Sequence, residues 1–418
     1  MSSESKMKYV ILVPDGMADQ PMPELGNRTP LAAYDTPWMD KMASAGTIGL
    51  ARTVPPGMEP GSDVANLSIL GYDPSEIYTG RAPFEAASMG VELMPDDVAF
   101  RLNFVTLDRN YTIMADHSAN HISSDEAAQL IKTLTPFVES LGMHLYPGVS
   151  YRHLLVWKNG PDGAVTYPPH DFAGQLVSPR FPSGPGADKL LRIILKSWKL
   201  LKDHPVNQQR VKDCLRPANS VWLWGQGRAP KIKSLREKYG ITGSVVAAVD
   251  LIKGIGHYAG LAPINVEGAT GFVDTNYEGK AQAALKALSE RDLVFLHVEA
   301  PDEASHSGDL NLKKQAIEDF DRKVVGPVLK GLSAFANWRV LLMPDHQTPL
   351  VTRAHSTEPV PYILLDSEEW ARAGKKATRA FSEETALSAG NLVENATRLV
   401  ELLLTTPRQS AVGEATSG

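Results

Sequence analysis

Asp302 and His306 stand four residues apart in PDEASH, Asp345 and His346 are adjacent in PDHQ, and His355 follows in TRAHSTEP. Asp15, in VPDG, completes a set of carboxylates and imidazoles. A separation of four places two side chains on one face of a helix, so the first pair can grip one ion if its loop turns helical. Mixed nitrogen and oxygen donors suit Mn2+, Zn2+ or Co2+, whereas Mg2+ favours oxygen and water. Six ligands exceed what one open catalytic metal takes, which favours two ions. In phosphoryl-transfer sites such ions stand about 4 Å apart and clamp both sides of an in-line displacement. Any one of these residues alone reads equally well as a helix cap or a solvated turn; the whole set, at the ends of strand-like runs, does not.

A two-metal site needs a nucleophile, and GSDVANLSILGYDP offers Ser62. At a helix N-terminus its hydroxyl would meet backbone N–H groups and a dipole that favour an oxyanion or phosphate, and beside a metal it would ionise more easily than in water. The alternative is an ordinary N-cap serine. Ser68 is the nearest rival, but its neighbours Leu67, Ile69 and Leu70 suggest a buried turn of helix.

These residues need elements to position them. Tyr9–Val13 is a β-branched and aliphatic run ending in Pro-Asp-Gly, the pattern of a fully buried strand. Runs at 292–298 and 338–343 also end in acid-bearing loops, and 360–365 is a further strand candidate. Between them, AQAALKAL at 281–288 and the stripe Ala316, Ile317, Phe320, Val324 read as helices. Strands alternating with helices predict an α/β fold, a parallel sheet covered on both faces with ligands at the carboxyl ends of its strands. The middle of the chain differs, with strand candidates at 98–105 and 152–157, a strongly amphipathic helix at 188–202 and a Pro/Gly-rich stretch at 179–186. The expected organisation is a core of residues 1–89 and 219–407 interrupted by an inserted α+β domain at 90–218, with a disordered tail at 408–418.

Composition narrows the function classes. With 42 Lys+Arg against 48 Asp+Glu, the net charge of −6 argues against a nucleic-acid partner. The lone Cys214 cannot form an internal disulfide, which removes disulfide-framework and cysteine-zinc classes and favours a reducing, cytoplasmic setting. The apolar run before Pro14 is too short for a membrane span or signal segment, so no membrane partner is expected. No GxxxxGK[ST], HExxH or GxSxG occurs, and Gly254-Ile255-Gly256 lacks the spacing of a dinucleotide loop. The sequence does not choose between a monomer and a homo-oligomer.

Longer motifs carry a resemblance. PDGMAD at 14–19, PGSDVANLSILGYDP at 60–74, YTGRAPFEAASMG at 78–90, PGVSYRHLLV at 147–156, PPHD at 168–171, WGQG at 224–227, DLIKGIG at 250–256, DTNYEGK at 274–280 and HVEAPDEASHSGD at 297–309 run in order over nearly the whole chain. It resembles the archaeal-type cofactor-independent phosphoglycerate mutases of the alkaline phosphatase superfamily. The resemblance implies an alkaline-phosphatase-like core, with one manganese-type ion on Asp302, His306 and His355 and the other on Asp15, Ser62, Asp345 and His346. It implies that Ser62 accepts the phosphoryl group of 3-phosphoglycerate and returns it to the 2-hydroxyl, so that no 2,3-bisphosphoglycerate is needed.

A phosphoserine beside two metals would hydrolyse if water entered, so the inserted domain is expected to act as a lid and hold the glycerate carboxylate. Candidates there are His121, Arg152, His153 and His170, with Asp171 as orienter or proton carrier. The resemblance also implies that Lys253 in DLIKGIG is placed like the lysine that contacts the transferring phosphoryl in related mutases, where electrostatic neutralisation is required. Two other enzymes would share the site: a metal-dependent phosphomonoesterase, and a phosphotransferase to a small hydroxylated acceptor such as homoserine. Replacing manganese, Zn2+, Co2+ or Mg2+ would also fit the donors.

Overall fold

The computed structural model describes residues 6–374 and 376–405; the tail expected at 408–418 lies outside them. The chain divides into two compact units, one built from the chain up to Ile77 and from Ile232 onward, the other spanning Tyr78–Lys231.

The first unit is organised by Lys8–Pro14, whose sequence KYVILVP is buried after its first residue. It pairs in parallel with Leu293–Val298 on one side and Trp338–Leu342 on the other, the centre of an eight-stranded sheet. Gly243–Val246 and Leu261–Ile264 extend it in parallel beyond Leu293–Val298. Strands buried on both faces read as continuous apolar runs because helices cover both sides. On one side lie Ala281, Ala284 and Leu288 of helix Tyr277–Glu290, with Ala316, Ile317 and Phe320 of helix Leu310–Phe320. Val324, last of the expected stripe, is also buried but belongs to the π-helical turn Asp321–Val325.

One strand departs from the parallel pattern. Val360–Asp366 is antiparallel to both Trp338–Leu342 and Thr47–Ala51. A parallel return needs a crossover of a dozen or more residues, usually helical. The segment between Leu342 and Val360 contains no helix, so the chain turns back on itself, and that turn carries Asp345, His346 and His355.

In the second unit Val98–Leu107 pairs antiparallel with Arg152–Trp157 and with Ser220–Gly227. Helices Ser124–Glu139 and Ala187–Leu201 pack on one face through Leu130, Leu134, Leu190 and Ile193. On the other, Ala82 and Ala86 meet Ala99, Leu154 and Val156. This unit is wider than the expected 90–218. Strand Ser220–Gly227, expected in the core, sends its hydrogen bonds to Val98–Leu107, and helix Ala82–Ser88 packs on the same sheet. Among the described residues no helix is long and apolar enough to cross a membrane.

Candidate active site

The three acid-bearing loops leave adjacent parallel strands at one edge. Asp15 follows Lys8–Pro14, Asp302 and His306 lie in helix Ala300–Ser307 just beyond Leu293–Val298, and Asp345 and His346 follow Trp338–Leu342. The four-residue spacing of Asp302 and His306 is therefore realised on a helix, and it brings His306 Nε2 to 3.1 Å from Asp302 Oδ2. His355 Nε2 stands 3.5 Å from Asp302 Oδ1 and 3.0 Å from His306 Nε2. Beside this trio, His346 Nε2 lies 3.4 Å from Asp15 Oδ1, 3.5 Å from Asp345 Oδ2 and 3.2 Å from Ser62 Oγ. Ser62 opens helix Ser62–Ile69, capped by Gly61 in extended conformation, whereas Ser68 is buried within the helix.

Hydrogen bonds on the far side of each imidazole show which nitrogen faces inward. The Thr348 hydroxyl donates to Asp302 Oδ1 at 2.6 Å, so toward His346 Nδ1, 3.1 Å away, it can only accept. His346 Nδ1 carries the proton and Nε2 presents a lone pair to Ser62, Asp15 and Asp345. His306 Nδ1 donates to the carbonyl oxygen of Arg353 at 2.9 Å, and His355 Nδ1 faces the carbonyl oxygen of Pro60 at 3.4 Å. All three rings thus turn Nε2 toward the carboxylates, the arrangement by which outer hydrogen bonds orient metal-binding histidines.

The electrostatics agree with a site that takes cations. Burial, followed by the nearby Asp345 and Asp302 carboxylates, raises Asp15 well above the ordinary carboxylate range, and its Oδ1 has no hydrogen bond. Burial opposes ionisation of Asp302 too, but His306 and His355 hold it well below the usual range. In return Asp302 raises His306 to about 9 and, against burial, raises His355. Burial lowers His346, against the pull of Asp345. Three buried carboxylates converge here, and His306 and His355 are drawn toward the protonated form to offset them, a charge that a bound cation would supply instead. The donor set therefore fits divalent metal.

Several supporting residues escape sequence reasoning. Asn66 Nδ2 donates to Ser62 O at 2.8 Å and to Asp345 Oδ2 at 2.9 Å, tying the Ser62 helix to an acid. Its place four residues after Ser62, on the same helix face, is the signal that could have found it. Gly16 has φ of +58°, and a Cβ there would meet Asp302 Oδ1 at 2.4 Å and Thr348 Oγ1 at 2.6 Å. Lys313 Nζ donates to Asp19 Oδ2 at 2.6 Å and to Thr348 O at 3.0 Å, bracing the loop that carries the acids.

Lys253 lies half-buried on helix Asp250–Tyr258 and donates to Asn265 Oδ1 at 3.0 Å. Among the described residues, no hydrogen bond or ion pair joins it to the cluster around Ser62.

On the second unit, Arg152 is exposed with its guanidinium 5.5 Å from the centre of the Tyr151 ring, and exposed His121 meets the same ring edge-on. Exposed His170 stands edge-on to Trp224 and His117, with Nε2 3.5 Å from Oδ1 of the exposed Asp171. Arg101, on the neighbouring strand, is buried, 4.2 Å from the Trp224 ring centre and paired with Glu85 at 2.9 Å. His153 corrects an expectation. Successive strand residues face opposite sides, so His153 turns inward while Arg152 turns out. It is buried against Phe104, its Nδ1 accepts from Gly148 N at 2.9 Å, and burial pushes it down to about 4. It is buried in the packing of this unit, with its Nε2 making no hydrogen bond.

The chain is similar to named proteins over its length. A family model described as 2,3-bisphosphoglycerate-independent phosphoglycerate mutase matches residues 43–207. A Geobacter sulfurreducens protein named "Probable 2,3-bisphosphoglycerate-independent phosphoglycerate mutase" is 52% identical over 400 residues, 95% of this chain and 100% of the relative. A 2,3-bisphosphoglycerate-independent phosphoglycerate mutase of Methanothrix thermoacetophila is 51% identical, with 95% and 100% of the two chains covered. Among solved structures, a Pyrococcus horikoshii protein aligns with a TM-score of 0.79 at 30% identity, covering 96% of this chain and 97% of that one. The cofactor-independent phosphoglycerate mutase of Thermoplasma acidophilum aligns with a TM-score of 0.62 at 26% identity, covering 95% and 98%. With half its residues shared with full-length relatives and the strand-end cluster in place, this chain belongs to the family of 2,3-bisphosphoglycerate-independent phosphoglycerate mutases.

Proposed function

We propose that the chain interconverts 3-phosphoglycerate and 2-phosphoglycerate through a phosphoserine at Ser62. The observation that carries this reading is Ser62 Oγ at 3.2 Å from the unprotonated Nε2 of His346, with Asp15 and Asp345 around the same nitrogen. Two divalent cations fit the donors, one on Asp302, His306 and His355 and one on Asp15, Ser62, Asp345 and His346, with Mn2+ favoured by the mixed set. When bound they supply the positive charge that eases ionisation of the Ser62 hydroxyl and neutralises the transferring phosphoryl group.

The residues of the chain then divide the work. Ser62 Oγ attacks phosphorus as the bond to the 3-oxygen breaks, and that oxygen takes up a proton. The glycerate turns, its 2-hydroxyl loses a proton and attacks the phosphoserine, and Ser62 regains its proton, so the cycle is balanced without 2,3-bisphosphoglycerate. Helix Ser62–Ile69 presents its N-terminal amides beside the nucleophile, which favours the phosphoryl charge. In this reading Lys253 adds to that neutralisation. Arg152 supplies the cationic group for the glycerate carboxylate, His121 and His170 supply ring N–H donors, and Asp171 carries a proton. The reaction belongs to cytoplasmic glycolysis and gluconeogenesis.

The test couples the Mn2+-loaded protein to enolase. Phosphoenolpyruvate formation from 3-phosphoglycerate is expected, and Ser62→Ala is expected to lower it by about 10^4-fold or more while the fold persists. No turnover with Mn2+, Co2+, Zn2+ or Mg2+ sinks the reading. Free phosphate released faster than mutase turnover makes the protein a phosphatase instead.

A further inference from the structure

Strand Leu293–Val298 is apolar except at its fifth residue, His297, which is fully buried. Glu299, just beyond the strand, and Lys280, on helix Tyr277–Glu290, are buried beside it. Three ionisable side chains in one interior are tolerated only when their charges offset one another; Lys280 and Glu299 bond directly, while the His297 ring nitrogens make no hydrogen bond and stand at ion-pair distance. Lys280 Nζ donates to Glu299 Oε2 at 2.7 Å and to the carbonyl oxygen of His297 at 3.1 Å. Glu299 Oε1 accepts from the amides of Ala248 at 2.8 Å and Val249 at 3.1 Å. Burial would raise Glu299, but Lys280 and then His297 hold its carboxyl below the usual range.

The His297 ring stands among carboxylates on both sides. Nδ1 is 3.5 Å from Glu299 Oε1, while Nε2 is 3.4 Å from Asp15 Oδ2 and 3.8 Å from Asp345 Oδ2. The two oxygens of Asp15 are thereby sorted: Oδ1 faces His346, and Oδ2 faces His297. An apolar trio of the same size would pack this interior at least as well, so a buried ion pair here needs a reason other than stability. The amides that Glu299 binds precede helix Asp250–Tyr258, the helix that carries Lys253.

We propose that His297 is a positioning residue, oriented by the Glu299–Lys280 ion pair, that holds the rear of Asp15 and Asp345 so that their other faces meet the metal site. Through Ala248 and Val249, the same Glu299 keeps the Lys253 helix in register with that site. The inference rests on the mutase reading above, and it deepens that reading by adding a layer behind the acids.

The test uses the full chain carrying His297→Leu, His297→Gln, or the paired Glu299→Gln and Lys280→Met. The pair removes both charges together, so neither is left alone in the interior. Calorimetric titration of the metal-free proteins with Mn2+ reads each site apart from catalysis, and mutase kinetics separate kcat from KM. His297→Leu is expected to weaken one Mn2+ site by about tenfold or more with the other within about twofold, and to lower kcat about tenfold at unchanged KM. His297→Gln, which can place an amide N–H near the former Nε2, is expected to recover most of both losses. The paired variant is expected to lower kcat and weaken the same Mn2+ site. Unchanged Mn2+ affinities and kcat in folded His297→Leu and in the paired variant overturn the proposal, as does equal loss in His297→Leu and His297→Gln. If the parent binds two Mn2+ without mutase turnover, the mutase reading fails, and the calorimetric comparison still decides the role of His297.

Discussion

The hydroxyl of Thr348 donates to Asp302 Oδ1 at 2.6 Å, which leaves it an acceptor for His346 Nδ1 and so links the two halves of the site through one side chain. It aims the Asp302 carboxylate and fixes the His346 tautomer together. Thr348→Val, nearly the same shape without the hydroxyl, is expected to weaken Mn2+ binding roughly 10- to 100-fold, as lost outer hydrogen bonds do elsewhere. Thr348→Ser is expected to restore it. Calorimetry on the two metal-free variants checks this, and equal affinity for Val and Ser contradicts the tautomer argument.

Metal binding should release protons. Asp302 raises His306 to about 9, so near neutral pH the imidazole holds a proton on the nitrogen that a metal would use. The sign follows: affinity rises as pH increases toward about 9 and falls as pH drops, because the cation must displace that proton. Mn2+ titrations at pH 7 in buffers of different ionisation enthalpy are expected to show net proton release that shrinks as pH approaches 9. Release that does not change with pH speaks against His306 as a ligand.

Gly16 should tolerate no side chain. With φ of +58° and the Asp302 and Thr348 oxygens close to where a Cβ would sit, Gly16→Ala combines left-handed strain of about 1–2 kcal/mol with displacement of Asp302. The expected outcome is loss of most mutase activity and Mn2+ affinity in a protein that still folds. Circular dichroism and calorimetry on one sample separate the two effects.

A pH-dependent contribution to stability lies away from the site, at Asp321. Burial pushes its carboxyl up to about 7, although the amides of Trp38 and Met39 at the start of helix Pro37–Ala45 donate to it. A carboxyl raised above its unfolded value contributes stability that is full below about pH 4 and lost as pH rises through about 7. Asp321→Asn keeps an acceptor for the amides without the charge. The parent is expected to lose melting temperature between pH 5 and pH 8 more steeply than this variant, and parallel curves would exclude the effect.

Strand Arg152–Trp157 shows how far a linear reading reaches. Its apolar run predicts the strand, and the observed bounds match. Yet His153 beside Arg152 reads as a second cationic contact until the pleat turns it into the core. The same limit set the unit boundary, because the partner of Ser220–Gly227 is a strand more than a hundred residues earlier in the chain. The return of Val360–Asp366 is likewise antiparallel because the loop before it has no helix, a feature that the strand's own composition does not carry.

By itself the sequence determined the chemistry on offer: carboxylates and imidazoles at the ends of apolar strands, one pair spaced for a helix face, and a serine at a helix start. Donor type belongs to the residue and short spacings to the local chain, so both are legible without a fold. Only the tertiary structure decided which ring nitrogens face inward, that Asn66 reaches Asp345 across 279 positions, and that His297 stands behind Asp15. Those relationships depend on contacts between segments far apart in the chain, where side-chain direction is set by packing and not by sequence neighbours.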